Sequence, residues 1–309
     1  MKILLTGGSG MLGKNILDHN LAKNYQIFSP NSNELNLLDK HKIYDYLKHN
    51  KIELVIHCAG YVGGIHANIA DPFGFLNKNL IIGLNIINAA KDYELPKLIN
   101  MGSSCMYPKD YFNPLKEEYI LKAPLEPTNE GYALAKILIA KMCEYITRQY
   151  GLLYKTLIPC NLYGKWDKFS ELNSHLIPAI IKKIYLAKKN KQETVMIWGD
   201  GESRREFMLA EDCADAIFFA INNFNNIDEY TNIGMGIDYS INDYYQQIAQ
   251  IMDYQGEFNH DITKPAGMRQ KLTDITKLTN LGWSAKNNLE QGLLKTYKFF
   301  LENKDICLQ

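Results

Sequence analysis

Two kinds of apolar spacing alternate along the first half of the chain. Lys2–Thr6 is a continuous apolar run that stops at Gly7 and Gly8, and such a run reads as a short strand buried on both faces. Over residues 11–21 the apolar positions return at helical spacing. The pair then repeats, with strands over residues 25–28, 53–59 and Lys97–Met101 and helices over residues 39–50 and 71–93. A proline-rich stretch, residues 108–127, separates these from a helix over residues 132–150 and a strand at Leu153–Pro159. Strands alternating with helices predict an α/β fold built on a doubly wound parallel sheet, with ligands beyond the carboxyl ends of its strands.

The pattern changes after Gly164: a helix is expected over residues 177–189, a strand at Thr194–Trp198, and mixed helix and loop beyond. The chain therefore divides into a nucleotide-binding domain, residues 1–164, and a smaller α/β substrate lobe, residues 165–309. A segment of about 206–238 is expected to return to the first domain. With 309 residues, the chain has the length of two domains at about 100–200 residues each. The lysines between 182 and 191 read as a solvated helix face.

Charge and cysteine content narrow the class. Thirty-four basic residues balance thirty-four acidic ones, which excludes a dedicated nucleic-acid binder and leaves anionic ligands to local basic side chains or backbone N–H groups. Six cysteines lie scattered with no Cys-x-x-Cys pair, so neither a disulfide framework nor a metal site is expected. The first apolar run is far too short for a signal peptide and no later one reaches about 20 residues, so no membrane association and a cytoplasmic location are expected.

Gly7, Gly10 and Gly13 follow the first strand in Gly-x-x-Gly-x-x-Gly spacing and open the first helix. A dinucleotide pyrophosphate needs such a tight turn, an unobstructed backbone and a helix amino end, so this is a Rossmann-type cofactor site. Residues 27–32 offer neither the carboxylate that binds a ribose hydroxyl nor an Arg for a 2′-phosphate. The missing carboxylate favours NADP(H) over NAD(H) without excluding the latter. Asp39 either faces the adenine or caps a helix.

Tyr132 and Lys136 lie four residues apart on one helix face, and Ser103 and Ser104 stand just past the strand Lys97–Met101. In a doubly wound sheet these places meet. Hydride delivered to a ketone makes an alkoxide, to which Tyr132 can give a proton if Lys136 lowers its pKa, while a serine orients the carbonyl.

From about residue 1 to residue 283 the chain resembles the extended short-chain dehydrogenase/reductases, and among them the GDP-L-fucose synthase family. The resemblance rests on Gly7 to Gly13, Glu34 to Asp39, Val62-Gly63-Gly64-Ile65, Gly102 to Lys109, Leu125 to Ala133, Asn161-Leu162-Tyr163-Gly164, Asn173 to Pro178 and Arg205-Glu206-Phe207. It implies NAD(P)H-dependent reduction of the C4 ketone of a GDP-4-keto-6-deoxy sugar, with epimerisation at C3 and C5, in glycan or capsule biosynthesis by a homodimer. By this resemblance Ser103, Tyr132 and Lys136 form the reduction triad, and Cys105 and His175 are the base and acid of epimerisation. The cofactor falls to Gly7, Gly10, Met11, Leu12, Gly13, Asp39, Ala59, Tyr132, Lys136, Asn161, Leu162 and His175. The GDP-sugar falls to Ser104, Lys183, Trp198, Arg205 and Lys271.

This sequence departs from the family at residues 265–271, where Pro-Ala-Gly-Met-Arg-Gln-Lys replaces Pro-Asp-Gly-Thr-Pro-Arg-Lys, and at Ser9 and Ser32, where the family has Arg. The sugar can be a hexose or a heptose, and a plain C4 reductase is an alternative. A dehydratase would carry an Asp-Glu pair where this chain has Cys105-Met106. A nucleotide-binding protein without catalysis would have no need of Ser103, Tyr132 and Lys136 together.

Overall fold

The structure is a computed structural model and describes residues 1–169, 174–263 and 267–308. Its centre is a six-stranded parallel sheet in the order Tyr230–Ile233, Leu153–Pro159, Lys97–Met101, Leu54–His57, Lys2–Thr6, Gln26–Phe28. Ile3, Leu4 and Leu5 are fully buried because helices cover both faces, which is why this strand reads as an unbroken apolar run. The chain leaves Lys2–Thr6 toward one edge and returns on the other side at Leu54–His57. The crevice at that reversal, beyond the carboxyl ends of the strands, is where a doubly wound sheet takes its ligand.

The two long helices are Pro72–Asp92 and Glu130–Tyr150. The first opens on Pro72 with the Asp71 carboxylate accepting from Gly74 N at 2.9 Å, and the second ends on Gly151 at φ 71°. They pack closely: a Cβ on Gly83 would stand 2.4 Å from Ile139 Cγ1. The first short helix covers only Met11–Asp18 and gives way to a 3₁₀ turn at Asn20–Asn24, because His19 leaves helical geometry and its ring accepts from Leu21 N.

The second lobe is built from helices Leu176–Lys189, Ile241–Ile251 and Leu289–Glu302 around a separate core containing Tyr163, Phe169, Ile180, Tyr244, Leu293 and Phe300. The helix Ala210–Asn222 instead packs into the core of the large sheet with Ile3, Leu5 and Ile56. Two small strand groups face the first domain: Thr194–Trp198 with Glu257–Asp261, and Arg204–Arg205 between Tyr239–Ser240 and Gln270–Lys271. No described helix is long and apolar enough to cross a membrane, and the six cysteines are free.

Candidate active site

The glycine turn is geometrically obligatory. Gly7 sits at φ 75°, and a Cβ on Gly13 would stand 2.3 Å from Gly7 O. Gly10 occupies the N-cap of Met11–Asp18 and no side chain caps that helix, so its amino end is open to an anion. From this turn a cleft of about 1080 Å³ runs between the two lobes. It exceeds the range of a single small-ligand pocket, and so has room for a dinucleotide and a second ligand.

One end of the cleft is walled by Ser9, Pro30, Asn31, Ser32 and Asn36-Leu37-Leu38, a stretch with no Arg or Lys. Asp39 does not line it. Its carboxylate accepts from His41 N and Lys42 N at 3.1 and 3.2 Å, so of the two readings of this residue the helix cap is the one the fold uses. Gly7, Gly10, Met11, Leu12, Gly13, Ala59, Asn161 and Leu162 all line the cleft.

At the centre Ser103, Cys105, Tyr132 and Lys136 meet beyond the Lys97–Met101 strand. A tight turn, Ser104–Met106, presents Cys105 to the cleft and turns the flanking residues inward. Ser104 is only 2% exposed and is not part of the cleft wall, contrary to its expected contact with the sugar. Ser103 Oγ accepts from Cys105 N at 3.2 Å and hydrogen bonds to Tyr132.

The electrostatics of Tyr132 differ from the sequence expectation. Burial is the main influence and raises its pKa, the nearby Cys105 raises it further, and only the Ser103 bond opposes this. The Lys136 ammonium lies 5.8 Å from the Tyr132 ring centre and donates to Met101 O at 2.8 Å. Burial holds Lys136 down at about 8, partly offset by Cys58, and it holds the neighbouring His57 neutral at about 3. Tyr132 thus rests as a neutral phenol, the form that can donate a proton.

His175 borders the cleft at the N-cap of Leu176–Lys189, and its Nδ1 lies 3.2 Å from Asp167 Oδ1. Burial works against its charged form, but the hydrogen bond and charge of Asp167 outweigh burial and raise its pKa. Arg205 and Lys271, on adjacent paired strands, close the far side. Lys183 and Trp198 fall outside the cleft: Lys183 Nζ donates to Met196 O at 3.2 Å and lies 5.2 Å from the Trp198 ring, which meets His66 edge to face. Asn173, Pro265 and Ala266, quoted from two sequence motifs, lie outside the described residues.

Three residues were not singled out from the sequence. Asp167 carries no motif signal at all. Asn129, whose Nδ2 donates to Cys105 Sγ at 3.3 Å, and the cleft-lining Glu126 both lie in the quoted stretch before Tyr132. Their spacing to Tyr132 was the signal that could have found them.

Comparison with known proteins shows the family and the fold. Residues 3–236 match the model of the NAD dependent epimerase/dehydratase family. The chain is 56% identical to a GDP-L-colitose synthase of Yersinia pseudotuberculosis over 99% of both chains, and 45% identical to a GDP-L-fucose synthase of Azorhizobium caulinodans over 99% of this chain and 98% of that one. Among solved structures, a GDP-6-OMe-4-keto-L-xylo-heptose reductase from C. jejuni superposes with a TM-score of 0.90 at 30% identity, covering 97% of each chain. A GDP-mannoheptose C4 reductase from Campylobacter jejuni with NADP bound gives 0.88 at 30%, covering 97% of this chain and 98% of that one. Full-length identity at this level, on a shared doubly wound fold, establishes that the chain belongs to the NAD dependent epimerase/dehydratase family, in the branch of the GDP-L-fucose and GDP-L-colitose synthases.

Proposed function

We propose that this protein is an NADP(H)-dependent enzyme that epimerises and reduces a GDP-linked 4-keto-6-deoxy sugar. The observation that carries the reading is the convergence of Ser103, Cys105, Tyr132, Lys136 and His175 on one cleft that also contains the glycine turn. The open amino end of Met11–Asp18 fits the pyrophosphate of the cofactor, and Lys136 and Asn161 line the cleft farther along.

The cofactor, when bound, supplies the hydride for C4. Ser103 orients the ketone oxygen, and the Tyr132 phenol donates the proton that the resulting alkoxide needs. A buried phenol remains a far stronger acid than an alcohol, so its raised pKa does not disable it. Before reduction, the C4 ketone acidifies the C–H bonds at C3 and C5. Cys105 removes a proton from carbon, the electron pair moves to the C4 oxygen, and His175, held by Asp167 in a readily protonated state, returns a proton to carbon. Arg205 suits a diphosphate, since its guanidinium can make two parallel hydrogen bonds. Lys183 and Trp198 would then meet a part of the nucleotide that extends beyond the cleft mouth.

Deuterium content of the product decides the reading. With GDP-4-keto-6-deoxy-mannose and NADPH in deuterated water, oxidation at 340 nm with label at two carbons is the expected result. Oxidation without label would reduce the assignment to a C4 reductase. A second reading is favoured by the 56% identity to a GDP-L-colitose synthase. Colitose is a 3,6-dideoxy sugar, with no stereocentre at C3, so a substrate of that class would acquire label by inversion at C5 alone. A heptose substrate would show as turnover confined to the longer sugar.

Exposed apolar residues on the paired long helices, Phe73 on one and Leu138 and Tyr145, two turns apart, on the other, support assembly as a homodimer through these helices. Free cysteines and a nucleotide-sugar substrate fit work in the cytoplasm, in glycan or capsule biosynthesis.

A further inference from the structure

Five of the six cysteines are held as neutral thiols by their surroundings. Burial pushes Cys58 up to about 12 and raises Cys143, Cys160, Cys213 and Cys307 in the same direction. Cys105 has different neighbours. Asn129 Nδ2 lies 3.3 Å from its sulfur and Lys271 Nζ lies 3.7 Å from it, so the sulfur is the acceptor in both contacts. Two N–H donors, one of them a cation, favour an anionic sulfur over an S–H group.

Neither donor is where local sequence would use it. Asn129 immediately precedes the helix Glu130–Tyr150, the place where an Asn side chain normally caps the first N–H groups, yet it makes no capping bond. Its amide is turned to the sulfur, and its Oδ1 is buried without a hydrogen-bond partner among the described residues, which leaves an acceptor at the cleft for a sugar hydroxyl. Lys271 arrives from 166 residues away on a two-residue strand paired with Arg204–Arg205, and it is only 7% exposed. A buried ammonium needs a partner of opposite charge, and an anionic Cys105 sulfur supplies one.

We infer that Asn129 and Lys271 are positioning residues for Cys105, holding its sulfur in the cleft as a proton acceptor and so controlling proton exchange at carbon separately from hydride transfer. The inference rests on the epimerase/reductase reading above. It reassigns Lys271 from the GDP-sugar to the thiolate. In the step concerned, a C–H bond breaks, an S–H bond forms, and the electron pair passes to the C4 oxygen. Lys271 and Asn129 then lose their anionic partner until the sulfur gives its proton to water.

The test uses the full chain with NADP⁺ bound and follows alkylation of Cys105 by iodoacetamide at one fixed pH near neutrality, read by mass spectrometry. Lys271→Met and Asn129→Ala are expected to slow alkylation about tenfold, and Lys271→Arg to restore most of the rate. In turnover, the ratio of deuterium entry to NADPH oxidation should fall about tenfold in the first two variants. Alkylation at the wild-type rate in both would overturn the inference, whatever the turnover shows. If the wild type takes up no deuterium but both variants still slow alkylation, the pairing with Cys105 stands and the epimerase reading fails.

Discussion

The two walls of the cleft are made in opposite ways. The cofactor wall is anchored on a contiguous stretch: within residues 6–13 one strand, one turn and one helix end form the phosphate cradle, where Gly13 must clear the turn's own backbone. The substrate wall is assembled from strands of two residues drawn from distant parts of the chain, Arg204–Arg205, Tyr239–Ser240 and Gln270–Lys271. Such short pairings cannot hold themselves. They are knotted by Glu206, a fully buried carboxylate that accepts from Met235 N, Gly236 N, Thr273 N and Thr273 Oγ1 at 2.6 to 2.8 Å. Burial raises the pKa of Glu206, and those four bonds oppose the rise. A wall built locally is set by backbone geometry, whereas a wall built from remote segments depends on a buried polar knot.

The largest effect should come from the group between the walls. Tyr132→Phe removes only the proton-donating hydroxyl, so reduction should fall about 10³-fold while the dissociation constants of NADPH and the nucleotide sugar stay nearly constant. Turnover within tenfold of wild type would remove Tyr132 from its role.

Next in size is a linkage effect at Lys136. Below about pH 8 the folded protein carries a buried ammonium that the unfolded chain would leave in water, and above the ordinary value of 10.5 neither state carries it. The wild type therefore loses stability relative to Lys136→Met as pH falls from about 10.5 to about 8, by roughly 3 kcal/mol, and the gap is constant below that. Urea unfolding of both proteins at pH 7.5, 9 and 10 checks it, and a difference independent of pH would contradict the buried charge.

Glu206→Gln tests the knot. An amide would turn N–H donors toward N–H and O–H donors, so KM for the nucleotide sugar should rise about 30-fold, or about 2 kcal/mol, with NADPH affinity little changed. Equal losses on both ligands would mean that the two walls are one unit. The smallest effect belongs to the adenosine end, where Ser32→Arg adds the cation that the stretch 30–38 lacks. Preference for NADPH over NADH, measured as kcat/KM, should rise about tenfold.

Much of this was legible from residue spacing. The strands Lys2–Thr6, Lys97–Met101 and Leu153–Pro159 stand where their apolar runs end, since burial on both faces leaves a continuous apolar signature, whereas Thr194–Trp198 buries only alternate residues. Tyr132 and Lys136 share a helix face by spacing alone. The same logic misled at Ser104, because a single tight turn alternates exposed and buried positions with no period to read. Spacing says nothing of where Lys183 and Trp198 stand, side by side beyond the cleft.

By itself the sequence determined the alternation of strands and helices, the glycine cradle, the Tyr132–Lys136 pair and the family, since each depends on interactions among near neighbours in the chain or on motifs that are themselves contiguous. The tertiary structure alone decided the protonation states and the sulfur's partners. Lys136 sits low because it is buried, His175 is raised because Asp167 lies beside it, and Cys105 meets Lys271 because two remote two-residue strands pair. Burial and long-range pairing are properties of the packed chain, and no local spacing of residues specifies either.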